Sequence, residues 1–558
     1  MFADDRLRCV AICAVLLALT PLLRAGETGD RGTGGARFHR AGHVENVPHG
    51  RQPNILFLMT DQQRFDTIAA LGNPHIYTPN LDRLARRGVV FTRAYSTCPV
   101  CVPARYTIRT GCEPPTTRSF FNGLLGPAAG QAATMTGRCG PYLAQTMKDL
   151  GYRTFGVGKF HTLPWDEKIG YDVHLHSEEL YGTPDQRRRD GYASWLAKEH
   201  PEFDFIEALM GERTEMYYMP QMSPMPAPVT VERWAADRAV DEIRSADRRP
   251  YFGFVSFVGP HPPFAPPIPF NRMYDPDRMP NPVRGDLRTD HTDEQIPWMN
   301  RLVWAEDIND SHARVLKARY YGEISYIDDC IGRILDAVDA RADAADTLIC
   351  FFTDHGDNLG DHHAWQKESF FDAACHIPFF VSWPAGLRGG ERRSELVCLT
   401  DLFGIAAHAA GKPQAREGID VLAMLEGKAR PRDRLIGYYG EPGTRYFKIM
   451  VRKDRWKYIY MANGGRQQLF DVESDPNELV NLADSRPDVA AGLRAKAVAA
   501  CRTPGARDAL EGDSLRKFAF LARPAGRIYQ FDHSRGVTGF PARPEDVLKQ
   551  RDSGENTP

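Results

Sequence analysis

The chain has no surplus of charge: 70 Lys and Arg stand against 72 Asp and Glu, spread along 558 residues, for a formal net charge of −2. Without a basic stripe there is no electrostatic footprint for nucleic acid or an anionic membrane, so binding must come from a local site. No internal repeat or long low-complexity tract stands out. The 11 cysteines fall in no regular framework, so no disulfide pairing is legible. The apolar run from Cys9 to Leu23 is too short for a comfortable transmembrane helix. Preceded by Arg6 and Arg8 and ending near Arg24 and Ala25, it reads as a signal peptide over residues 1–25. That predicts an exported protein, periplasmic or secreted, or lysosomal in a eukaryote, with no stable membrane insertion. Residues 26–50, rich in Gly, Arg and His, read as a flexible lead-in. The single glycosylation acceptor, Asn309-Asp310-Ser311, is what chance supplies.

What is present is apolar sequence enough for a large core: 42% apolar and 25% charged residues make the chain globular, with more than one domain. Short apolar runs at Ile55–Met59, Thr154–Val157, Tyr251–Val258, Leu348–Phe352 and Pro378–Trp383 alternate with helical patterns. Their spacing predicts an α/β fold with a large, mostly parallel central sheet flanked by helices. Leu316, Tyr320, Ile324, Ile327, Ile331 and Leu335 mark one face of a helix over Ser311–Val338. Thr78-Pro79 predicts the start of another, with the threonine hydroxyl as cap. Beyond about residue 425 the pattern changes. Tyr446–Val451, Trp456–Tyr460 and Gln467–Val472, with a turn at Asn463-Gly464-Gly465, predict a smaller antiparallel subdomain. The expected organisation is a catalytic domain over 51–424, this subdomain over 425–532, and a polar tail over 533–558.

The chemically useful residues follow strand ends. Asp61 and Gln62 close the first run, Lys159 and His161 the second, His261 follows the third, and Asp354 with His355 closes the fourth. Ligands of open α/β sheets bind at the carboxyl ends of strands, so these tips are expected to share a pocket. Each residue also has a plainer reading: Asp61 as a cap, Gln62 as a solvent-facing amide, Asp354-His355 as a turn, Lys159 and Lys367 as surface lysines, and His161 and His261 as structural.

Between the first two runs lies Cys101-Val102-Pro103-Ala104-Arg105, followed by Thr110-Gly111. This resembles the recognition sequence of the type I, formylglycine-dependent sulfatases of the alkaline phosphatase-like superfamily. Arg109 departs from that pattern, which usually has an apolar residue before the Thr-Gly pair. Further segments resemble the family in order: Thr60-Asp61-Gln62-Gln63, Gly158-Lys159-Phe160-His161, Pro260-His261-Pro262, Thr353-Asp354-His355-Gly356, Trp365-Gln366-Lys367, Lys457–Tyr460 and Leu469-Phe470-Asp471. The resemblance extends over about residues 52–482.

The resemblance implies that Cys101 is oxidised to formylglycine by a separate formylglycine-generating enzyme. It implies a divalent cation, Ca2+ with Mn2+ as the alternative that His355 would favour, at Asp61, Gln62, Cys101, Asp354 and His355. Arg105, His161 and His261 take catalytic roles, and Lys159 and Lys367 hold sulfate. The chemistry is consistent: an anionic ester repels an attacking oxygen unless fixed cations surround it. Hydrated formylglycine offers two hydroxyls, one to attack sulfur and one to expel sulfate afterwards, which Ser or Cys cannot do. The implied substrate is a sulfated small molecule or glycan, with aryl sulfates and sulfated glycans both open. The organic half would be read by loops within 162–230 and 262–310. Two other functions fit the same residues: hydrolysis of phosphonate monoesters or phosphodiesters, and anion or glycan binding without turnover.

Overall fold

Strand β1, Asn54–Thr60, is buried along its whole length. Its side chains divide between two cores, Ile55, Phe57 and Met59 on one face and Leu56 and Leu58 on the other. A strand apolar on both faces requires cover on both, which is the arrangement of a parallel sheet inside an α/β domain. The structure, a computed structural model, describes residues 52–179, 184–210, 217–286, 293–303, 305 and 308–522. The expected leader, lead-in and tail lie outside the described residues.

Seven further strands complete the sheet: β2 (Val89–Phe91), β3 (Arg153–Gly158), β4 (Val173–His176), β5 (Tyr251–Ser256), β6 (Thr347–Thr353), β7 (Phe379–Ser382) and β8 (Glu391–Arg393). They lie in the order β4-β3-β5-β1-β6-β7-β2-β8. Every pair is parallel except those that β7 makes with β6 and β2. The tips of β1, β3, β5 and β6 are therefore neighbours, as the strand-end pattern requires.

Helices cover both faces. α1 (Pro79–Arg87), α3 (Val231–Ile243) and α4 (Asp310–Asp339) pack on the Leu56 side, and α2 (Cys101–Thr110) and α5 (Asp401–Ala409) on the Phe57 side. Asn309 of the glycosylation triplet caps α4, accepting from His312 N–H at 2.9 Å. The cap expected of Thr78 is absent: its hydroxyl accepts from Ala69 N–H at 3.0 Å and bonds Asp82. Instead Asp328 of α4 accepts from the N–H groups of Asn80 (3.1 Å) and Leu81 (2.7 Å). A tertiary carboxylate satisfies the orphan donors better than a local hydroxyl. None of the described helices is long and apolar enough to cross a membrane.

The C-terminal sheet has four antiparallel strands, β9 (Leu435–Tyr439), β10 (Lys448–Lys453), β11 (Trp456–Met461) and β12 (Arg466–Asp471). β9 carries no clean alternation and was not expected from sequence. A helix, α6 (Pro487–Ala500), packs Leu493 and Ala497 against Ile449, Val451 and Tyr458. The sheet is fastened to the larger one by buried Lys448, which reaches Asp293 Oδ2 at 2.8 Å and the Glu368 carbonyl at 2.6 Å.

One backbone position is decisive for the site. Gly158 ends β3 with φ +100°, and a Cβ there would stand 1.9 Å from the Ser256 carbonyl oxygen. Gly158→Ala is expected to cost at least ~3 kcal/mol, because it adds both a clash and a disfavoured dihedral. A fall in the denaturant midpoint, or insoluble expression, is the readout; an unchanged midpoint would contradict this packing.

Candidate active site

The fixed positions of the cysteine motif have local structural reasons. Cys101 is the first residue of α2, where aligned peptide dipoles favour an anion. Val100 supplies no side-chain cap, so Asn122 Oδ1 accepts the Val102 N–H at 3.1 Å. Pro103 lacks an N–H in the first turn, where none is needed. At the other end the Thr110 hydroxyl donates to the Tyr106 carbonyl at 2.6 Å, and Gly111, at φ +67°, donates its N–H to Thr107. Arg109, the departure from the motif, is buried. It donates to the carbonyls of Arg105 and Phe160 and lies over the Tyr106 ring, tying α2 to the Lys159–His161 loop.

The strand tips converge on Cys101. Its Sγ lies 3.0 Å from Lys367 Nζ, 3.3 Å from His355 Nε2, 3.8 Å from Asp61 Oδ1 and 3.9 Å from Lys159 Nζ. Arg105, one turn along α2, donates to Asp61 Oδ2 at 2.8 Å, to Ser256 Oγ at 3.0 Å and to the Lys159 carbonyl. Its Nε is 3.3 Å from Asp354 Oδ2. Lys159 Nζ is 2.7 Å from Asp61 Oδ2, and its side chain is 0% exposed. Asp354 Oδ1 accepts from the N–H groups of Gln62 (3.1 Å) and His355 (3.0 Å). Gln62 takes a left-handed φ of 66°. Its Oε1 accepts from Lys367 Nζ at 2.8 Å, and its Nε2 donates to Asp357 and Gln366.

The two histidines stand on the loops that follow the adjacent strands β3 and β5. His261 Nδ1 bonds the Pro262 carbonyl at 2.8 Å, which leaves Nε2 directed at Glu179 Oε2, 3.4 Å away. His161, at φ 50°, donates its backbone N–H to Glu178. His362 and His363 lie elsewhere: His362 stacks on Phe371, and His363 faces the Gly285 carbonyl.

Burial and neighbouring charge oppose each other throughout. Burial and the Cys101 anion would raise Asp61, but Lys159 and Arg105 outweigh them and hold its carboxyl well below the usual range. Asp354 goes the other way, raised by burial and by Asp61 beside it. Burial would raise the Cys101 thiol, yet Lys159, Lys367 and His355 bring it well below the ordinary thiol value. Lys159 is held above the lysine range against burial by Asp61, Cys101 and Glu179. Lys367 is raised likewise.

The sulfatase family model matches residues 53–412 of this chain, nearly two thirds of its length. The chain belongs to the sulfatase family. A second model, N-sulphoglucosamine sulphohydrolase, C-terminal, matches residues 360–498 of this sulfatase. Among curated relatives, the arylsulfatase of Clostridium perfringens is 29% identical over 457 residues, covering 78% of this chain and 91% of the relative. The choline-sulfatase of Rhizobium meliloti is 28% identical over 450 residues, 78% and 83% of the two chains. A solved phosphonate monoester hydrolase of Agrobacterium radiobacter superposes with TM-score 0.66 at 25% identity, over 81% of this sulfatase and 96% of that chain.

A cation fits the geometry. The ligand atoms of Asp61, Cys101, Asp354 and His355 all lie within 4.8 Å of one another. Asp354 Oδ2 is buried without a hydrogen-bond partner, and two adjacent buried carboxylates call for positive charge. Gln62 Oε1 keeps a second lone pair beyond the one Lys367 uses.

Beside this cluster opens a cavity of about 670 Å³, whose lining includes Lys367, His261, Glu179, Trp298, Tyr439 and Tyr446. Glu179, Ser256 and Asn122 are site residues that sequence reasoning did not name. Ser256 ends β5, a position the strand-end pattern points to, whereas Glu179 follows β4, whose Val-His-Leu-His sequence gives no apolar run.

Proposed function

We propose that the protein hydrolyses a sulfate monoester, with Cys101 oxidised to formylglycine as nucleophile and a divalent cation held by Asp61, Gln62, residue 101, Asp354 and His355. The observation that carries this reading is the ring of Lys367, His355, Asp61 and Lys159 within 3.9 Å of Cys101 Sγ, at the edge of a cavity large enough for an organic group. The sulfur marks the place of the oxygens that the oxidised side chain would carry. When present, the hydrated aldehyde supplies an oxygen nucleophile and the cation favours its ionisation. Ca2+ suits the carboxylate and amide oxygens, and Mn2+ is the alternative that His355 admits.

The chain's own groups divide the remaining work. Lys159 and Lys367 hold the ester's anionic oxygens, and Arg105 fixes Asp61 and adds positive charge. His261, lining the cavity, hands a proton to the departing oxygen, with Lys367 as the other donor in reach. His161 accepts the proton whose loss frees sulfate. Maturation by a formylglycine-generating enzyme and an exported location belong to the same reading. So does the division into a catalytic domain over 51–424 and a subdomain over 425–532.

Peptide mass spectrometry of protein from its own host is the direct test. A thiol replaced by an aldehyde at residue 101 is expected, together with sulfate release that a chelator stops and Ca2+ restores. Residue 101 found solely as the thiol would defeat the mechanism and favour binding without turnover. The likeness to a phosphonate monoester hydrolase supports a second reading, that the same clamp serves phosphonate monoesters. Rates on sulfate and phosphonate esters of one alcohol decide between them, and a large phosphonate preference would displace sulfate as the substrate.

A further inference from the structure

A fifth strand tip reaches the site. After β4 the Ser177 N–H still donates to the Gly158 carbonyl, and Glu178 is pinned from several sides. Its Oε1 accepts from the N–H groups of Phe160 (3.3 Å) and His161 (2.5 Å) and faces His176 Nε2 at 2.5 Å, and its N–H donates to Asp190. The next residue, Glu179, is thus delivered on a fixed base. Its carboxylate contacts Lys159 Nζ, lies 3.4 Å from His261 Nε2 and lines the cavity, with 13% of the side chain exposed.

We propose that Glu179 is a specificity-determining residue, a charge filter that admits esters carrying one negative charge and discriminates against those carrying two. The proposal rests on the reading above that Lys159 and Lys367 hold the substrate's anionic oxygens. Burial would raise this carboxyl, but His261 and Lys159 outweigh it and bring it to about 2, so it is ionised at neutral pH. Sulfate and phosphonate monoesters carry one charge near neutral pH, whereas a phosphate monoester of the same shape carries two above a second ionisation at about 6. A tetrahedral group hydrogen-bonded to Lys159 Nζ, which Glu179 also contacts, would lie on the order of 5 Å from that carboxylate. At an effective dielectric constant of about 20, one additional negative charge at that distance lowers the rate on the order of 100- to 1,000-fold. The dianion alone bears this penalty.

The test compares kcat/KM for para-nitrophenyl sulfate, para-nitrophenyl phosphate and para-nitrophenyl methylphosphonate in the mature enzyme, Glu179→Gln and Glu179→Asp. In Glu179→Gln the phosphate-to-sulfate ratio is expected to rise about 100- to 1,000-fold, with the phosphonate-to-sulfate ratio within about threefold of its starting value. Glu179→Asp keeps the charge and should keep the original ratios. An unchanged phosphate-to-sulfate ratio in Glu179→Gln overturns the filter, as does a phosphonate rate that climbs together with phosphate. The unaltered enzyme gives an independent check: its phosphate-to-phosphonate ratio should fall as pH rises through the second phosphate ionisation, and a flat ratio also overturns the proposal. A preference for phosphonate over sulfate, with phosphate lagging both, would displace the sulfatase substrate while supporting the filter.

Discussion

A Cys101→Ser protein is expected to release at most one equivalent of alcohol per molecule and then stop, with steady-state turnover lower by about 10⁴-fold or more. The serine hydroxyl would take the place of Sγ, now 3.0 Å from Lys367 Nζ and 3.3 Å from His355 Nε2, so the surroundings for attack persist. What serine lacks is a second hydroxyl on the same carbon. The sulfate it accepts has no internal route of departure, and the adduct must wait for water to attack at sulfur. Rapid-quench measurement of released alcohol, with the intact mass of the protein at the plateau, checks this. Sustained turnover by the serine variant would remove formylglycine from the scheme.

Arg105→Ala should destabilise the metal-free protein by about 3–5 kcal/mol, the usual cost of breaking a buried ion pair from one side. Arg105 is the direct partner of Asp61 Oδ2 at 2.8 Å and the cation nearest Asp354 Oδ2 at 3.3 Å. Without it, Asp61 keeps Lys159, but Asp354 loses its nearest positive charge. A divalent ion bound at the same carboxylates supplies part of what is missing. Added Ca2+ should therefore raise the variant's melting temperature by more than it raises that of the parent protein. Equal melting temperatures for the two proteins in chelator would show that the guanidinium does not hold the site together.

Much of this site was legible because parallel strands write themselves plainly. β1, β3, β5 and β6 are buried on both faces, so each shows a short apolar stretch with a residue expected at the site just past its end: Asp61, Lys159, Asp354, and, for β5, His261 a few residues on. The cysteine motif is equally visible, since Pro103 and Gly111 answer to backbone geometry that few other residues satisfy. Glu179 escaped because β4 is an edge strand, only partly covered, whose alternating histidines resemble a loop. The cap of α1 escaped because it comes from Asp328, some 250 positions away, and no local pattern reports such a partner. Arg109 looked like a defect in a motif, whereas its contacts with Phe160 and Tyr106 exist in three dimensions alone. β9 was missed for want of alternation, though its last residue, Tyr439, lines the cavity.

The wall of that cavity has a further meaning. Tyr439, Gly440, Glu441 and Tyr446 border it from the connection between β9 and β10, while every group around Cys101 rides on the larger sheet or the loops that follow its strands. The groups around Cys101 and this part of the cavity wall thus come from different stretches of chain. A substitution at Tyr446, whose side chain is 43% exposed, would therefore reshape that wall while leaving the contacts of Cys101 as they are.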